Sequence, residues 1–273
     1  MENLRLVFPN KSEKERLDLA RKSYYYQTMS VLELGWAPRH LTIKSAPELV
    51  KYSFEDKADF EAARNGPAIW VTPHYGTFEW LSIHWALTEP NAQPMIVAED
   101  FRNPGLTPLF KKMREYSGCQ TIPQERAMVR LLRHLHKGGQ AAFLSDLRVP
   151  PSKASTVIDC FGLKTSVTIL HAFLAKQTKA PIIPVICFPQ PDHTYVFHAY
   201  KRIEVNEDAT PHSIAQSCWD AFEPELRKNP EPWMWMYKQW RYLPEESASG
   251  YPAYAHYSEY FADLNRKIQD AIE

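Results

Sequence analysis

The chain has 273 residues, and its 32 Lys plus Arg balance 32 Asp plus Glu, for a formal net charge of zero. This length supports one large core or two small ones, and 44% apolar with 23% charged residues is a globular composition that excludes a disordered or fibrous chain. The balance argues against nucleic acid as a partner, because such proteins carry a basic excess, and only a local basic patch would draw the chain to an anionic membrane.

The first residues, MENLRLVFPNKSEKER, lack the apolar core and cleavage site of a secretion signal. Ser12 and Glu15 have capping-box spacing and predict a helix through Leu17, Ala20 and Tyr24 towards Leu32. A second helix is expected over 54–63, stopped by Asn65-Gly66. Ala68-Ile69-Trp70-Val71, set between Gly66-Pro67 and Pro73, reads as a buried strand. A helix follows from Thr77, its N-cap, through Trp80, Leu81 and Trp85. Next come a strand over 95–98, helices over 106–116 and 125–137, strands over 141–144 and 156–161, and a helix over 167–177. Strands over 182–188 and 195–203 close the series.

Such alternation predicts an α/β fold, a mixed, mostly parallel sheet flanked by helices, with the last strand pair adding an antiparallel portion. The expected organisation is one domain over 1–243 and a C-terminal helical tail over 244–273. Tyr251, Tyr254, Tyr257 and Tyr260 recur every three residues in that tail and would form one aromatic stripe if helical. The longest apolar run, 180–188, is interrupted by Pro181 and Pro184 and falls far short of the roughly 20 residues that span a bilayer. No membrane anchor is expected. Cys119, Cys160, Cys187 and Cys218 are too dispersed for a zinc site or a disulfide framework, which fits buried, reduced thiols in a cytoplasmic protein.

The chemistry concentrates after the 68–71 strand, in Thr72-Pro73-His74-Tyr75-Gly76-Thr77-Phe78-Glu79-Trp80. Sites in open α/β sheets form beyond the carboxyl ends of strands, where His74 falls. On one continuous helix, residues five apart point about 140° away from each other. With His74 in a loop and Glu79 in the first helical turn, the carboxylate is expected to fold back on one ring nitrogen and leave the other free to take a proton. A structural histidine beside a carboxylate would share this spacing.

P-H-Y-G-T-F-E-W resembles the H-F-G-N-W-E block of the bacterial lipid A lauroyl/myristoyl acyltransferases, which carry the H-x4-D/E signature of the wider glycerolipid acyltransferase group. Asn103-Pro104 with Arg114 and Gly118, Phe143-Leu144-Ser145-Asp146, Phe161-Gly162, Ala180-Pro181-Ile182-Ile183-Pro184 and Pro232-Trp233-Met234-Trp235 resemble later blocks in the same order. The likeness covers residues 4–242. It implies an acyltransferase with His74 as base and Glu79 as its partner, an acyl carrier protein or coenzyme A thioester as donor, and a lipid or small-molecule acceptor bearing a hydroxyl or amine. No bound cofactor and no metal are implied. Three departures stand out: no N-terminal membrane helix, Glu99 where relatives often carry arginine before the Asn-Pro block, and a neutral chain. A cytoplasmic protein, touching the inner face of the membrane at most peripherally, is the expectation. The alternatives are a hydrolase using the same pair on water and a non-catalytic lipid- or carrier-binding protein.

Arg126, Arg130 and Arg133, with Lys137, recur at helical spacing as one basic stripe that could hold an acidic carrier, a coenzyme A phosphate or a headgroup. Asp146 and Arg148 follow a strand end, and Arg114 is a further phosphate candidate; all three are read as substrate- or donor-binding. His84 is expected to be a packed side chain, and the aromatic run Trp233, Trp235, Tyr237, Trp240 a core or a tunnel wall.

Overall fold

The computed structural model describes residues 1–89, 91–98 and 101–271. In chain order the elements are α1 (Glu2–Val7), α2 (Glu13–His40), α3 (Ala46–Leu49), β1 (Val50–Phe54), α4 (Lys57–Arg64), β2 (Ala68–Thr72), α5 (Glu79–Thr88), β3 (Pro94–Val97), α6 (Leu106–Glu115), β4 (Gln120–Ile122) and α7 (Ala127–His136). They continue as β5 (Gln140–Leu144), β6 (Ser155–Cys160), β7 (Leu163–Thr168), α8 (Leu170–Thr178), β8 (Ile182–Pro189), β9 (Tyr195–Ala199), α9 (Pro211–Lys228), β10 (Tyr242–Leu243), β11 (His256–Tyr257) and α10 (Glu259–Asp270). Among the described residues, seven strands form one sheet in the order β1-β9-β8-β2-β5-β3-β4. Only β8 and β9 run antiparallel; every other neighbouring pair is parallel. The mixed, mostly parallel α/β architecture read from the sequence is the one observed.

β2 lies in the middle, and all five of its residues are buried, as an apolar strand covered on both faces must be. Alternate side chains serve opposite faces. Ile69 and Val71 join a core with Leu131, Leu174, Phe222 and Trp240; Ala68 and Trp70 join another with Leu34, Phe60, Trp80 and Ile83. Gln140, at the start of β5, is a buried polar node. Its Oε1 accepts from the indoles of Trp70 and Trp85 at 2.8 and 2.7 Å, and its Nε2 donates to the carbonyls of Ala63 and Gly66 at 2.9 and 2.8 Å. These bonds fix the amino ends of the central strands and leave the carboxyl ends for the site.

The predicted capping box forms: Glu15 N donates to Ser12 Oγ, and Ser12 N donates to the Glu15 carboxylate. The helix it starts continues past Leu32 to His40, tolerating Pro38 in its last turn. Two predicted helices begin late because strands claim their first residues. Phe54 ends β1, which pairs with β9, and Val167 and Thr168 end β7, which pairs with β6. The tyrosines of the tail do not form one helical stripe. Tyr251 accepts from Lys164 N at 2.9 Å and Tyr254 donates to Asn3 Oδ1 at 2.7 Å, both ahead of α10, while Tyr257 and Tyr260 are exposed. All four cysteines are free and buried. Among the described residues, no helix is long and apolar enough to cross a membrane.

Candidate active site

β2 and β5 are parallel neighbours with Thr72 opposite Leu144. Ser145 N donates to Thr72 O at 3.0 Å and extends the ladder by one residue. His74 and Asp146 each lie two residues beyond that last pair, so equal overhangs bring them together. Asp146 grips His74 twice: the ring Nδ1 lies 2.8 Å from Oδ1, and the backbone N–H donates to Oδ2 at 2.8 Å. Trp233 Nε1–H also donates to Oδ2 at 2.8 Å, and Gln239 Nε2–H donates to Asp146 O at 2.6 Å. The side chain of Asp146 is fully buried. Burial, the largest influence, pushes its pKa up; the His74 charge and the hydrogen bonds from His74 and Trp233 outweigh it and hold Asp146 below its ordinary value. An ionised carboxylate only accepts, so in the neutral form of the ring Nδ1 carries the proton and Nε2 the lone pair.

The loop is held on every side. Tyr75 N donates to Pro73 O at 2.8 Å, Gly76 N to Pro232 O at 3.2 Å and Thr77 N to Cys187 O at 2.9 Å. Gly76 adopts φ +57°, and a Cβ there would run into Cys187 O and the Phe188 backbone; the close approach explains the glycine. Thr77 Oγ donates to Glu33 Oε2 at 2.8 Å, and Tyr195 Oη donates to Glu33 Oε1 at 2.7 Å. Gln27 on α2 donates to Pro232 O at 2.9 Å. The Phe78 ring leans on the imidazole with 4.8 Å between centroids.

Two expectations about this loop are corrected. Thr77 is not the N-cap: Phe78 holds that place with no side-chain cap, and the Thr77 hydroxyl is drawn to Glu33. Glu79 is not the partner of the His74 ring. It opens α5 and turns to α6, where Arg114 Nε donates to its Oε2 at 2.8 Å and Arg114 Nη2 donates to its Oε1. Both side chains are mostly buried, at 14% and 10% exposure. Burial lowers the Arg114 pKa, but the Glu79 bond and charge outweigh it, for a net rise. Asp146 already fills the Nδ1 position, and Arg114 occupies both oxygens of Glu79.

His74, Phe78, Glu79, Arg114 and Arg148 share the wall of one cavity of about 810 Å³, floored by Leu81, Ile96, Val97, Phe143, Ile169 and Phe173. This is the size and apolar lining of a small-molecule site. Arg126, Arg130 and Arg133 are not brought into it. Arg130 and Arg133 are exposed on the outer side of α7, whose inner side buries Leu131 and Leu135, and Arg126 is exposed at its N-cap, in a left-handed conformation off the helical stripe. Met128, on the same helix, does reach the cavity. His84 is packed as expected, with Nε2 3.0 Å from Tyr52 Oη. No local spacing marks Trp233 or Gln239 as a brace of the site, because the indole reaches its carboxylate across 87 residues. Glu99 lies outside the described residues.

Residues 1–242 match the family described as bacterial lipid A biosynthesis acyltransferases, so the chain belongs to that family and is an acyltransferase acting on a lipid. Among its relatives is the lipid A biosynthesis lauroyltransferase of Escherichia coli (strain K12). The two are 22% identical over 262 residues, covering 91% of this chain and 80% of the relative.

Proposed function

We propose that this protein moves a fatty acyl group from an acyl carrier protein or coenzyme A thioester to a hydroxyl or amine of its lipid acceptor, with His74 as general base. The observation that carries the proposal is the Asp146-bound imidazole on the wall of an apolar cavity. The acceptor O–H gives its proton to Nε2 as its oxygen attacks the thioester carbonyl carbon. The C–S bond then breaks, and the imidazolium returns the proton to the departing thiolate. Asp146 orients the ring and stabilises its charged form. The tetrahedral oxyanion would be met by the Phe78 and Glu79 amides at the start of α5, since those of Trp80 and Leu81 donate to Thr77 O and Phe78 O. The Thr77 N–H is excluded from that role because Cys187 O accepts it. General-base help of this kind contributes roughly 10²–10⁴ in rate.

The test is thiol release from a series of acyl carrier protein and acyl-coenzyme A thioesters, with and without a lipid acceptor, for wild type and His74→Ala. Acceptor-stimulated release that the variant loses is expected. Release indifferent to acceptor would make the protein a hydrolase, and a variant as fast as wild type would remove His74 from the mechanism.

A further inference from the structure

Arg148 lies two residues past Asp146 and lines the cavity that holds His74. Its guanidinium sits between two phenol rings, 5.6 Å from the Tyr237 centroid and 5.3 Å from that of Tyr242. Nη1 donates to Tyr242 Oη at 3.2 Å and Nη2 to Tyr237 Oη at 3.4 Å. Tyr237 Oη in turn donates to Arg148 O at 2.9 Å. Nε is buried without an acceptor. Among the described residues no carboxylate pairs with Arg148, whereas Arg114, the other guanidinium of this cavity, is closed by Glu79. Lys153 lines the same cavity, exposed and without an ion pair among the described residues.

A guanidinium has five N–H donors in a planar fork, and two neutral phenols satisfy part of that capacity through long bonds. They fix its plane without neutralising it. A half-buried cation with no counter-charge is unfavourable until an anion completes it, and a planar fork suits a two-pronged oxyanion.

We propose that Arg148, with Lys153 beside it, clamps a phosphate-type oxyanion carried by one of the two substrates. The identity of those substrates rests on the acyl-transfer reading, but the binding itself does not depend on His74. The phosphate could belong to the phosphopantetheine arm of the donor or to the lipid acceptor, and the two sources are separable. Calorimetric titration of the full chain with 4′-phosphopantetheine against pantetheine probes the donor; hexyl phosphate against hexanol probes the acceptor. Wild type should prefer the phosphorylated member of one pair by roughly tenfold or more, and that pair names the source. Arg148→Gln should abolish the preference without weakening the neutral ligand, and Lys153→Gln should reduce it. Arg148→Met, which keeps the stem between the rings, decides the matter if the glutamine variant fails to fold. No preference in either wild-type pair, or a preference that survives loss of Arg148, overturns the proposal. His74→Ala should bind as wild type does. An alanine variant that keeps its turnover therefore sinks the acyl-transfer mechanism while leaving the clamp standing.

Discussion

Asp146→Asn exchanges one oxygen for an NH2, and the surrounding donors dictate which one. Asp146 Oδ2 accepts two hydrogen bonds, from His74 N–H and from Trp233 Nε1–H. Only an oxygen can occupy that place, so the amide NH2 must take the Oδ1 position, 2.8 Å from His74 Nδ1. An NH2 donates. Nδ1 is then forced to accept, the ring proton moves to Nε2, and the imidazole presents N–H to the acceptor hydroxyl instead of a lone pair. The ring stays in place but can no longer take a proton. The whole general-base contribution of roughly 10²–10⁴ should disappear from kcat, close to the upper end because the tautomer is wrong as well as the charge. Stability should fall by only about 1–2 kcal/mol, the difference between charge-assisted and neutral hydrogen bonds. The assay is kcat at saturating thioester and acceptor, alongside thermal unfolding and the ¹⁵N shifts of the His74 ring. A folded variant within fivefold of the wild-type rate would refute the reasoning, as would a slow variant whose Nδ1 is still protonated.

Glu79→Gln should lower stability by about 3 kcal/mol, because it leaves the mostly buried Arg114 without its counter-charge. Adding Arg114→Met should recover part of the loss in urea denaturation, and simple additivity of the two changes would mean the pair is not coupled. His171 is fully buried with neither ring nitrogen bonded, and burial pushes its pKa down to about 4, from an ordinary 6.5. Burial does the same to His84, also to about 4. Below the unfolded value the unfolded chain takes up protons that the native protein refuses. Stability is therefore complete above pH 6.5 and declines as pH falls towards 4, by roughly 3 kcal/mol per group. His171→Leu should remove one share of that decline without cost at pH 8. Equal acid sensitivity in variant and wild type, measured by denaturant titration at pH 5 and 8, would show that His171 does not resist protonation.

Much of the frame can be read from local chemistry. β2, β3, β5 and β8 are short apolar runs between Gly, Pro and Asn signals, because strands buried on both faces need no polar alternation. α2 announces its start through Ser12 and Glu15. β1 does not announce itself: Val50–Phe54 alternates buried and open residues and becomes a strand only by pairing with residues 195–199, far along the chain. β7 is polar for similar reasons; its Lys164 and Thr165 belong to a hairpin off the main sheet. The site divides the same way. His74 is legible because a strand end is visible from flanking residues. Its partner is not, because strand order decides it. Nothing near residue 74 states that β5 is the neighbour of β2, whereas Glu79 is close in sequence and faces another helix.

The bonds from Trp233 and Gln239 to Asp146 also have a consequence in time. A ribosome releases His74 first, the carboxylate that holds it much later, and the two side chains that brace that carboxylate last. At ordinary rates of elongation, roughly 5–20 s separate the appearance of Asp146 from that of Gln239. Throughout that interval the nascent chain carries an imidazole and a carboxylate but lacks the walls that align them. On the acyl-transfer reading, a thioester met by the growing chain before residue 239 has emerged finds no aligned base.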